Sequence, residues 1–287
     1  MKKIFTKIIL LSLLINCFLK HEQIKAMVPY YYLPTQKNLN REGLSIGKNA
    51  YQHLYFGQIE NSLNLAKLAV KINRANEKLW LILSEAQIAN KLYEEALISL
   101  NNAQKIDPTI SEIYFAKSSI YMMQSKFTNA KHALIKGLKI TPDNYRGIFQ
   151  LGNIFLIEKN FDSAIKEFDK AVKIKPDFWQ AINNKGLAYF EKDKIDLSIK
   201  LFEKAISIDE NAEPILGLAS CLRLKNIDLA LALAKKALTK NPSYVDFDYR
   251  KEQLWGEKIQ ASTEILLQNK ELQKDVKLAK SKINSSS

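Results

Sequence analysis

The chain has 287 residues, of which 47% are hydrophobic and 25% are charged, a balance that is typical of folded proteins and excludes an intrinsically disordered chain. Nine glycines and seven prolines are few for an all-β protein rich in turns, and two cysteines cannot build a disulfide scaffold. The net charge of +13 raises nucleic acid and anionic membranes as partners, which the charge pattern must then support or exclude.

The first 26 residues have the pattern of an export signal. Lys2, Lys3 and Lys7 precede an apolar run over residues 8–19. That run has the length of a signal-peptide core and is too short for a bilayer span, which takes about 20 residues. We therefore predict an export signal that is cleaved after Ala26; the alternative is an uncleaved membrane anchor. Cys17 follows Asn16, which argues against a lipidated cysteine.

Residues 27–42 are predicted to form a lead-in to the folded region. They contain two prolines and three consecutive tyrosines at positions 30–32. We expect the tyrosines to cover the exposed end of the folded array. The alternative is that they form an adhesive site for a partner.

The centre of the chain repeats itself with a fixed period. Pro108, Pro142 and Pro176 lie 34 residues apart, and an isoleucine stands two residues before each of them. A period of this length indicates two-helix units that cannot bury their apolar faces alone and must stack on one another. The units are residues 43–76, 77–110, 111–144, 145–178, 179–212 and 213–244.

The residue types that recur at fixed positions, or columns, of the aligned units explain how each unit folds. Small residues at positions 8 and 20 of the unit let two antiparallel helices approach closely. Proline at position 32 ends the second helix because it lacks an amide hydrogen and keeps the preceding residue out of the helical region. The lysine at position 29 falls in the last turn, where a cation interacts favourably with the helix dipole.

These columns resemble the tetratricopeptide repeat (TPR) family. The unit 145–178 matches the family pattern most fully, through Leu151, Gly152, Phe155, Ala164, Phe168, Ala171 and Pro176. The resemblance covers roughly residues 43–244. It implies an all-α fold, a right-handed α-solenoid of about six helix-turn-helix repeats, that binds other proteins or peptide segments and is not an enzyme.

The resemblance also implies where a partner binds. In TPR proteins the first helix of each unit lines a concave groove. Amide side chains in such a groove can pair with a peptide backbone, while aromatic and methionine side chains add apolar contact. The predicted protein-binding residues are Phe115, Ser119, Met122, Arg146, Phe149, Gln150, Asn153, Gln180, Asn183, Asn184 and Leu187.

Two segments follow the repeats. In residues 245–268, Trp255, Ile259 and Leu266 share one helical face, which predicts a C-terminal capping helix over the last repeat. Residues 269–287 form a basic tail that we expect to be frayed and solvated. The alternative is a weak amphipathic helix that contacts an anionic membrane. Its apolar stripe is Leu272, Val276, Ala279 and Ile283.

The residue pattern predicts no enzyme, no cofactor and no metal site. His21, His53 and His132 are far apart, and no glycine-rich phosphate loop is present. Cys221 falls on a helix face that is predicted to be buried, so we predict an unreactive thiol in the core. Nucleic acid is not a predicted partner, because the lysines recur at helix ends with carboxylates between them.

The order of segments carries a second, finer resemblance. An export signal, a lead-in, TPR units and the stretch "LWGEKIQASTEILLQ" resemble exported TPR proteins of cyanobacteria and plastids. This implies a scaffold in the periplasm or thylakoid lumen that assists photosystem or thylakoid membrane complex assembly. The alternatives are a bacterial cell-envelope assembly adaptor and a structural homo-oligomer whose groove binds the lead-in of a neighbouring copy.

Overall fold

The computed structural model describes residues 33–285, and the regular elements in that range are helical. Twelve helices of this region form six antiparallel pairs. They are α1 Gln36–Tyr55, α2 Ile59–Ile72, α3 Glu77–Ala89, α4 Tyr93–Ile106, α5 Ser111–Met123, α6 Phe127–Ile140, α7 Tyr145–Ile157, α8 Phe161–Ile174, α9 Trp179–Glu191, α10 Ile195–Ile208, α11 Ala212–Leu222 and α12 Ile227–Lys240. The predicted signal segment and the three tyrosines lie outside the described residues.

The C-terminal region adds shorter helices. A 3₁₀ turn, Pro242–Val245, leads into α13 Phe247–Glu252, which is followed by α14 Glu257–Leu267. A second 3₁₀ turn, Lys270–Leu272, precedes α15 Gln273–Asn284. The single capping helix expected over residues 245–268 is therefore divided into a turn and two helices.

The pairs stack into an α-solenoid. The two helices of a pair pack against each other, and the second helix packs on the first helix of the next pair. First helices of neighbouring pairs, such as α1 and α3, contact one another more extensively than second helices do, so the first helices form the inner surface of the curve. The all-α solenoid expected from the repeat pattern is confirmed.

The small residue at position 8 makes room for an aromatic ring from the second helix. A Cβ atom added to Gly152 would lie 2.5 Å from Cε1 of Phe168, a ring that is fully buried. Gly186 and Phe202 repeat the arrangement one unit later, at 3.0 Å. The glycines therefore allow contact between the backbone of one helix and a ring of its partner.

The second helices end at the same position with or without proline. The units of α2 and α10 have Arg74 and Glu210 in the proline column, yet these helices end at Ile72 and Ile208 as the column predicts. In both, the next residue leaves the helical region while its amide still donates to the carbonyl four residues earlier. Proline therefore reinforces an end that the unit adopts without it.

The turn between paired helices contains a residue in the left-handed conformation. In the first five units this is position 15 of the unit. An L-residue there costs about 1 kcal/mol relative to glycine. The residues are Gly57 (φ 72°), Lys91 (φ 60°), Ser125 (φ 57°), Lys159 (φ 56°) and Asp193 (φ 58°).

We predict that Ser125→Gly raises the free energy of unfolding by up to about 1 kcal/mol, because glycine adopts this conformation without a Cβ clash. The reciprocal change, Gly57→Ser, should lower it by a similar amount. Urea unfolding followed by circular dichroism measures both. The interpretation is wrong if the two variants shift the midpoint in the same direction.

The expectation of a frayed basic tail is wrong for α15. Leu272, Val276 and Ala279 are buried in the cluster that also contains residues of α12, and Ile283 packs against its edge. The apolar stripe of the tail is thus turned towards the solenoid. The same packing removes the apolar face that the alternative of weak membrane contact through this tail required.

Val276→Asp should lower the melting temperature clearly, because it places a carboxylate in an apolar contact at a cost of about 2 kcal/mol or more. Lys277→Asp, its exposed neighbour, is the matched control and should leave the melting temperature nearly unchanged. Thermal unfolding followed by circular dichroism distinguishes them. Equal melting temperatures for the two variants would instead support the expectation that the tail is frayed and solvated.

Candidate protein-binding groove

The inner surface of the solenoid has an open part and a covered part. Along α1, α3, α5 and α7 it presents exposed side chains, among them Tyr51, which is 51% exposed, and Met123, which is 58% exposed. Along α9 and α11 it is buried by a later segment of the same chain. The predicted site residues are distributed over both parts.

Three of the predicted residues line the open part, and a fourth, Gln180, lies at the start of α9. Arg146 is exposed, with its guanidinium 5.4 Å from the ring centroid of Tyr145. The side chains of Met122, Gln150 and Gln180 are half-buried. These side chains can contact a ligand without a change in the fold.

Three other predicted residues mainly serve internal contacts. The ring of Phe115 fills the space beside Gly137 and Gly147, at 2.7 Å from the Cβ atom that either glycine would carry as alanine. The Phe149 ring centroid lies 4.9 Å from that of Phe178 in an edge contact. Ser119 donates from Oγ to the carbonyl of its own helix at Phe115, at 3.1 Å. Phe115 therefore joins neighbouring repeats, whereas Phe149 packs within its own unit, which their sequence positions alone did not show.

The predicted asparagines bond to one another. Nδ2 of Asn183 donates to Oδ1 of Asn184 at 3.1 Å, and Nδ2 of Asn184 donates to Oδ1 of Asn153 at 2.9 Å. Asn183 and Asn184 are buried, as is Leu187 at 1% exposure. The prediction that these three residues face an open groove is wrong for this structure, because their side chains are buried, and Leu187 packs in one cluster with Trp255 and Ile259 of a later segment.

We name residues 253–267 the C-terminal cover. The cover crosses the first helices α9 and α11, on the inner surface of the solenoid. Trp255 is 4% exposed and Ile259 is fully buried, both in one cluster with Leu187. Leu254, just before them, packs against the cluster formed by α7, α8 and α9. The apolar face predicted for this segment is buried, but against the groove rather than only the end of the array.

A carboxylate of the groove caps the helix of the cover. Glu191, at the end of α9, accepts hydrogen bonds from the amides of Lys258 at 3.2 Å and Ile259 at 3.0 Å. The N-cap residue Gly256 has no side chain to do this, and first-turn amides otherwise lack partners. A Cβ atom on Gly256 would lie 2.4 Å from Cδ of Glu191, so a larger residue there would displace this carboxylate from the amides that it caps.

Small hydroxyl side chains join the cover to α11. The hydroxyls of Ser220 and Thr263 lie 2.6 Å apart, and Ser262 donates to the carbonyl of Ser220 at 2.9 Å. Arg223 donates from Nε to the hydroxyl of Ser262 at 3.3 Å. The crossing therefore combines apolar burial with specific polar contacts.

A buried arginine attaches the cover to the preceding helix. Arg250 in α13 is fully buried and donates to Oε1 of Gln260 at 2.8 Å and to the carbonyl of Tyr244 at 2.7 Å. Its guanidinium also forms an ion pair with Glu264. The 3₁₀ turn, α13 and α14 are thereby held as one unit.

A second groove carboxylate receives the indole of the cover. Nε1 of Trp255 donates to Oε1 of Glu213 at 3.2 Å. Burial raises the pKa of Glu213 from 4.5 to about 7, although hydrogen bonds from Trp255, Asn183 and Tyr244 act in the opposite direction. Tyr244 is the titratable one of these three partners, and burial raises its pKa as well, so it remains neutral near pH 7.

The raised pKa of Glu213 predicts a pH dependence of stability. Its contribution is fully present below the ordinary pKa of 4.5 and is lost as pH rises through about 7. Between about pH 5.5 and about pH 8.5 the wild-type chain should lose about 2 kcal/mol more unfolding free energy than Glu213→Gln does. Urea unfolding at both pH values measures this difference. Equal losses in the two chains would show that Glu213 does not titrate in this range.

Cys221, the cysteine within the described residues, does not form a reactive site. Cys221 is buried, its Sγ lies 3.6 Å from Oγ of Ser198, and burial raises its pKa to about 12. It is the core thiol that the sequence predicts. Within residues 33–285, no cluster of His, Cys, Asp and Glu has the arrangement of a metal site. None of the helices described in that range is long and apolar enough to cross a membrane.

These features define an α-solenoid of helical-hairpin repeats. Part of the array matches known repeat models: residues 111–144 and 180–211 match the family model described as "Tetratricopeptide repeat", and residues 152–193 match the model described as "TPR repeat". This fold is typical of protein-interaction scaffolds. No curated protein is significantly similar to the chain in sequence.

Solved structures share the fold. A tetratricopeptide repeat protein from Parabacteroides merdae aligns with a TM-score of 0.62 and 18% identity, over 83% of this chain and 99% of that one. MamA aligns with a TM-score of 0.52 and 25% identity, over 56% of this chain and 94% of its own. YrrB, described as a TPR protein with an unusual peptide-binding site, aligns with a TM-score of 0.51 and 16% identity, over 71% and 98%.

Proposed function

We propose that the chain is a non-catalytic scaffold that binds other proteins or peptide segments through the open inner surface of its first four repeats. The observation that carries the proposal is the exposure of apolar and basic side chains on that surface. Tyr51 and Met123 are more than half exposed, and Arg146 is exposed on α7. Exposed apolar side chains next to polar ones are a feature of binding surfaces.

The side chains of this surface indicate the chemistry of the partner. Methionine is flexible and adapts to irregular apolar groups, so Met122 and Met123 suit a segment with aliphatic or aromatic side chains. Lys48, Lys78 and Arg146 are exposed on the first helices and favour a partner that carries acidic residues. YrrB, which has the same fold and is described as a TPR protein with an unusual peptide-binding site, supports peptide binding by a solenoid of this kind.

The double variant Met123→Asp with Arg146→Glu should lose most partner capture, because it replaces one apolar contact with a carboxylate and reverses one charge on the inner surface. The matched control is Ile135→Asp with Lys139→Glu on α6, a second helix, where Ile135 is 40% exposed and Lys139 is exposed. Capture is measured by crosslinking each tagged chain in its native cells, followed by mass spectrometry. Equal loss in both variants, or loss only in the control, would move the site away from the inner surface.

The captured proteins also test the finer proposal. The order of segments in the sequence supports assistance in photosystem or thylakoid membrane complex assembly by an exported protein of the thylakoid lumen or periplasm.

 
The export signal predicted over residues 1–26 lies outside the described residues and is part of this proposal. Photosystem subunits in a thylakoid fraction would support the assembly role. Secretion or cell-wall proteins would favour the alternative of a cell-envelope adaptor, and recovery from the cytoplasm with an intact N-terminus would overturn the export prediction.

The homo-oligomer alternative has its own test. It requires the lead-in of one copy to occupy the groove of another, and residues 27–32 of that lead-in lie outside the described residues. Residues 36–42 of the lead-in belong to α1, whose first turn is capped by Thr35. Light scattering of the full chain and of a chain lacking residues 27–34 measures the mass of each. A monomer in both cases excludes this alternative.

A further inference from the structure

We propose that the inner surface of α9 and α11 is a second binding site, for a helical protein segment, and that the C-terminal cover occupies it within the same chain. An external helix of the same chemistry then binds there by displacing the cover. This inference rests on the proposed function of the solenoid as a protein-binding scaffold. It extends that function to a surface that is closed in the structure.

The cover contacts the solenoid as a ligand does, rather than as a further repeat. Its helix crosses α9 and α11 on the inner surface, whereas each repeat adds a helix pair to the end of the array. The groove supplies two carboxylates for it: Glu191 caps the first turn, and Glu213 accepts the indole hydrogen of Trp255. The site therefore has partners for a helix N-terminus and for an aromatic donor placed just before it.

These contacts define the class of ligand. An indole lies two residues before the first residue of the helix. The residue between them is small, because Gly256 lies directly against the side chain of Glu191. An aliphatic residue follows in the first turn, where Ile259 is fully buried. The site thus fits an amphipathic helix that begins with an aromatic residue, a glycine and then a buried aliphatic residue.

Several features make the closed state less stable than its apolar contacts alone imply. Leu254 adopts a left-handed conformation with φ of 67°, which costs an L-residue about 1 kcal/mol. Oδ1 of Asn183 is buried beneath the cover without a hydrogen-bond partner. Opening the cover would let water reach Asn183 and the buried carboxylate of Glu213, and both groups gain from solvation.

The edge of the cover is held by exposed ion pairs. Lys159 Nζ lies 2.7 Å from Oε1 of Glu257, with side chains that are 65% and 82% exposed, and Lys258 pairs with Asp193 in a similarly exposed position. Exposed pairs of this kind contribute little to stability. Displacement of the cover therefore mainly requires that the incoming helix replace the buried contacts, which are those of Trp255 and Ile259, the caps from Glu191 and the hydroxyl contacts to Ser220.

Attachment within one chain gives the cover an advantage over a free peptide. A tethered segment acts at an effective concentration of about millimolar, so a free helix of equal affinity competes poorly with it. The test therefore weakens the cover and leaves the groove unchanged. Gly256→Ala does so through the clash with Glu191, and Trp255→Ala does so by removing the indole.

The probe is a fluorescent synthetic peptide with the sequence of residues 253–267, titrated into the full-length chain and followed by anisotropy. We expect at least about tenfold tighter binding to Gly256→Ala and to Trp255→Ala than to the wild-type chain. The same peptide with alanine in place of Trp255 is the matched control and should not bind. Adding Glu213→Ala to the Trp255→Ala chain removes the acceptor of the indole and should weaken binding of the unaltered peptide.

Hydrogen exchange of the same chains shows whether the cover opens. Amides of α14 should exchange before those of α11 in both cover variants. The proposal is overturned if α14 and α11 exchange together in folded chains, or if α14 opens and the peptide still does not bind. Gly256→Ala retains the indole and its core contacts, so the test does not depend on the Trp255 variant folding.

The two proposals fail in different measurements. The proposed function is wrong if the Met123 and Arg146 double variant, which does not alter the covered surface, captures partners as well as the wild-type chain does. Failure of this inference appears as an absence of peptide binding, which leaves capture by the first four repeats unaffected.

Discussion

The solenoid depends on close contact between aromatic rings and glycine backbones. The ring of Phe202 lies between Gly186 of its own unit and Gly217 of the next, at 3.0 Å and 2.7 Å from the Cβ atoms that alanine would add. One ring thus closes its own helix pair and also joins that pair to its neighbour. Because a single helix pair buries too little apolar surface to be stable, such joints between units carry much of the stability of the array.

The repeated part of the fold could be predicted from the sequence because its determinants are local and recur. Helices α3, α5, α7 and α9 begin at the first residues of the predicted units, and α2 and α10 end where the isoleucine column predicts. The left-handed turn residue was missed because side chains at this position share no chemistry: lysine, serine and aspartate occupy it as well as glycine. Backbone conformation recurs there without a recurring residue type.

The binding surface could be predicted only in part. Arg146, a predicted groove residue, is exposed, and the periodicity correctly identified Trp255 and Ile259 as buried. What covers α9 could not be predicted, because it depends on contacts between residues as far apart as Glu191 and Ile259. Amides that suit a peptide backbone equally suit one another, so Asn153 and Asn184 gave the same pattern for either role.

The left-handed turn residues have a consequence beyond backbone strain. In the fourth and fifth units they are Lys159 and Asp193, which carry opposite charges and project at neighbouring turns. The cover places Glu257 and Lys258, two consecutive residues of opposite charge, against them in the complementary order. A helix shifted by one residue along the groove would bring a like-charged pair together, so these turns disfavour that alignment for a segment that occupies the surface.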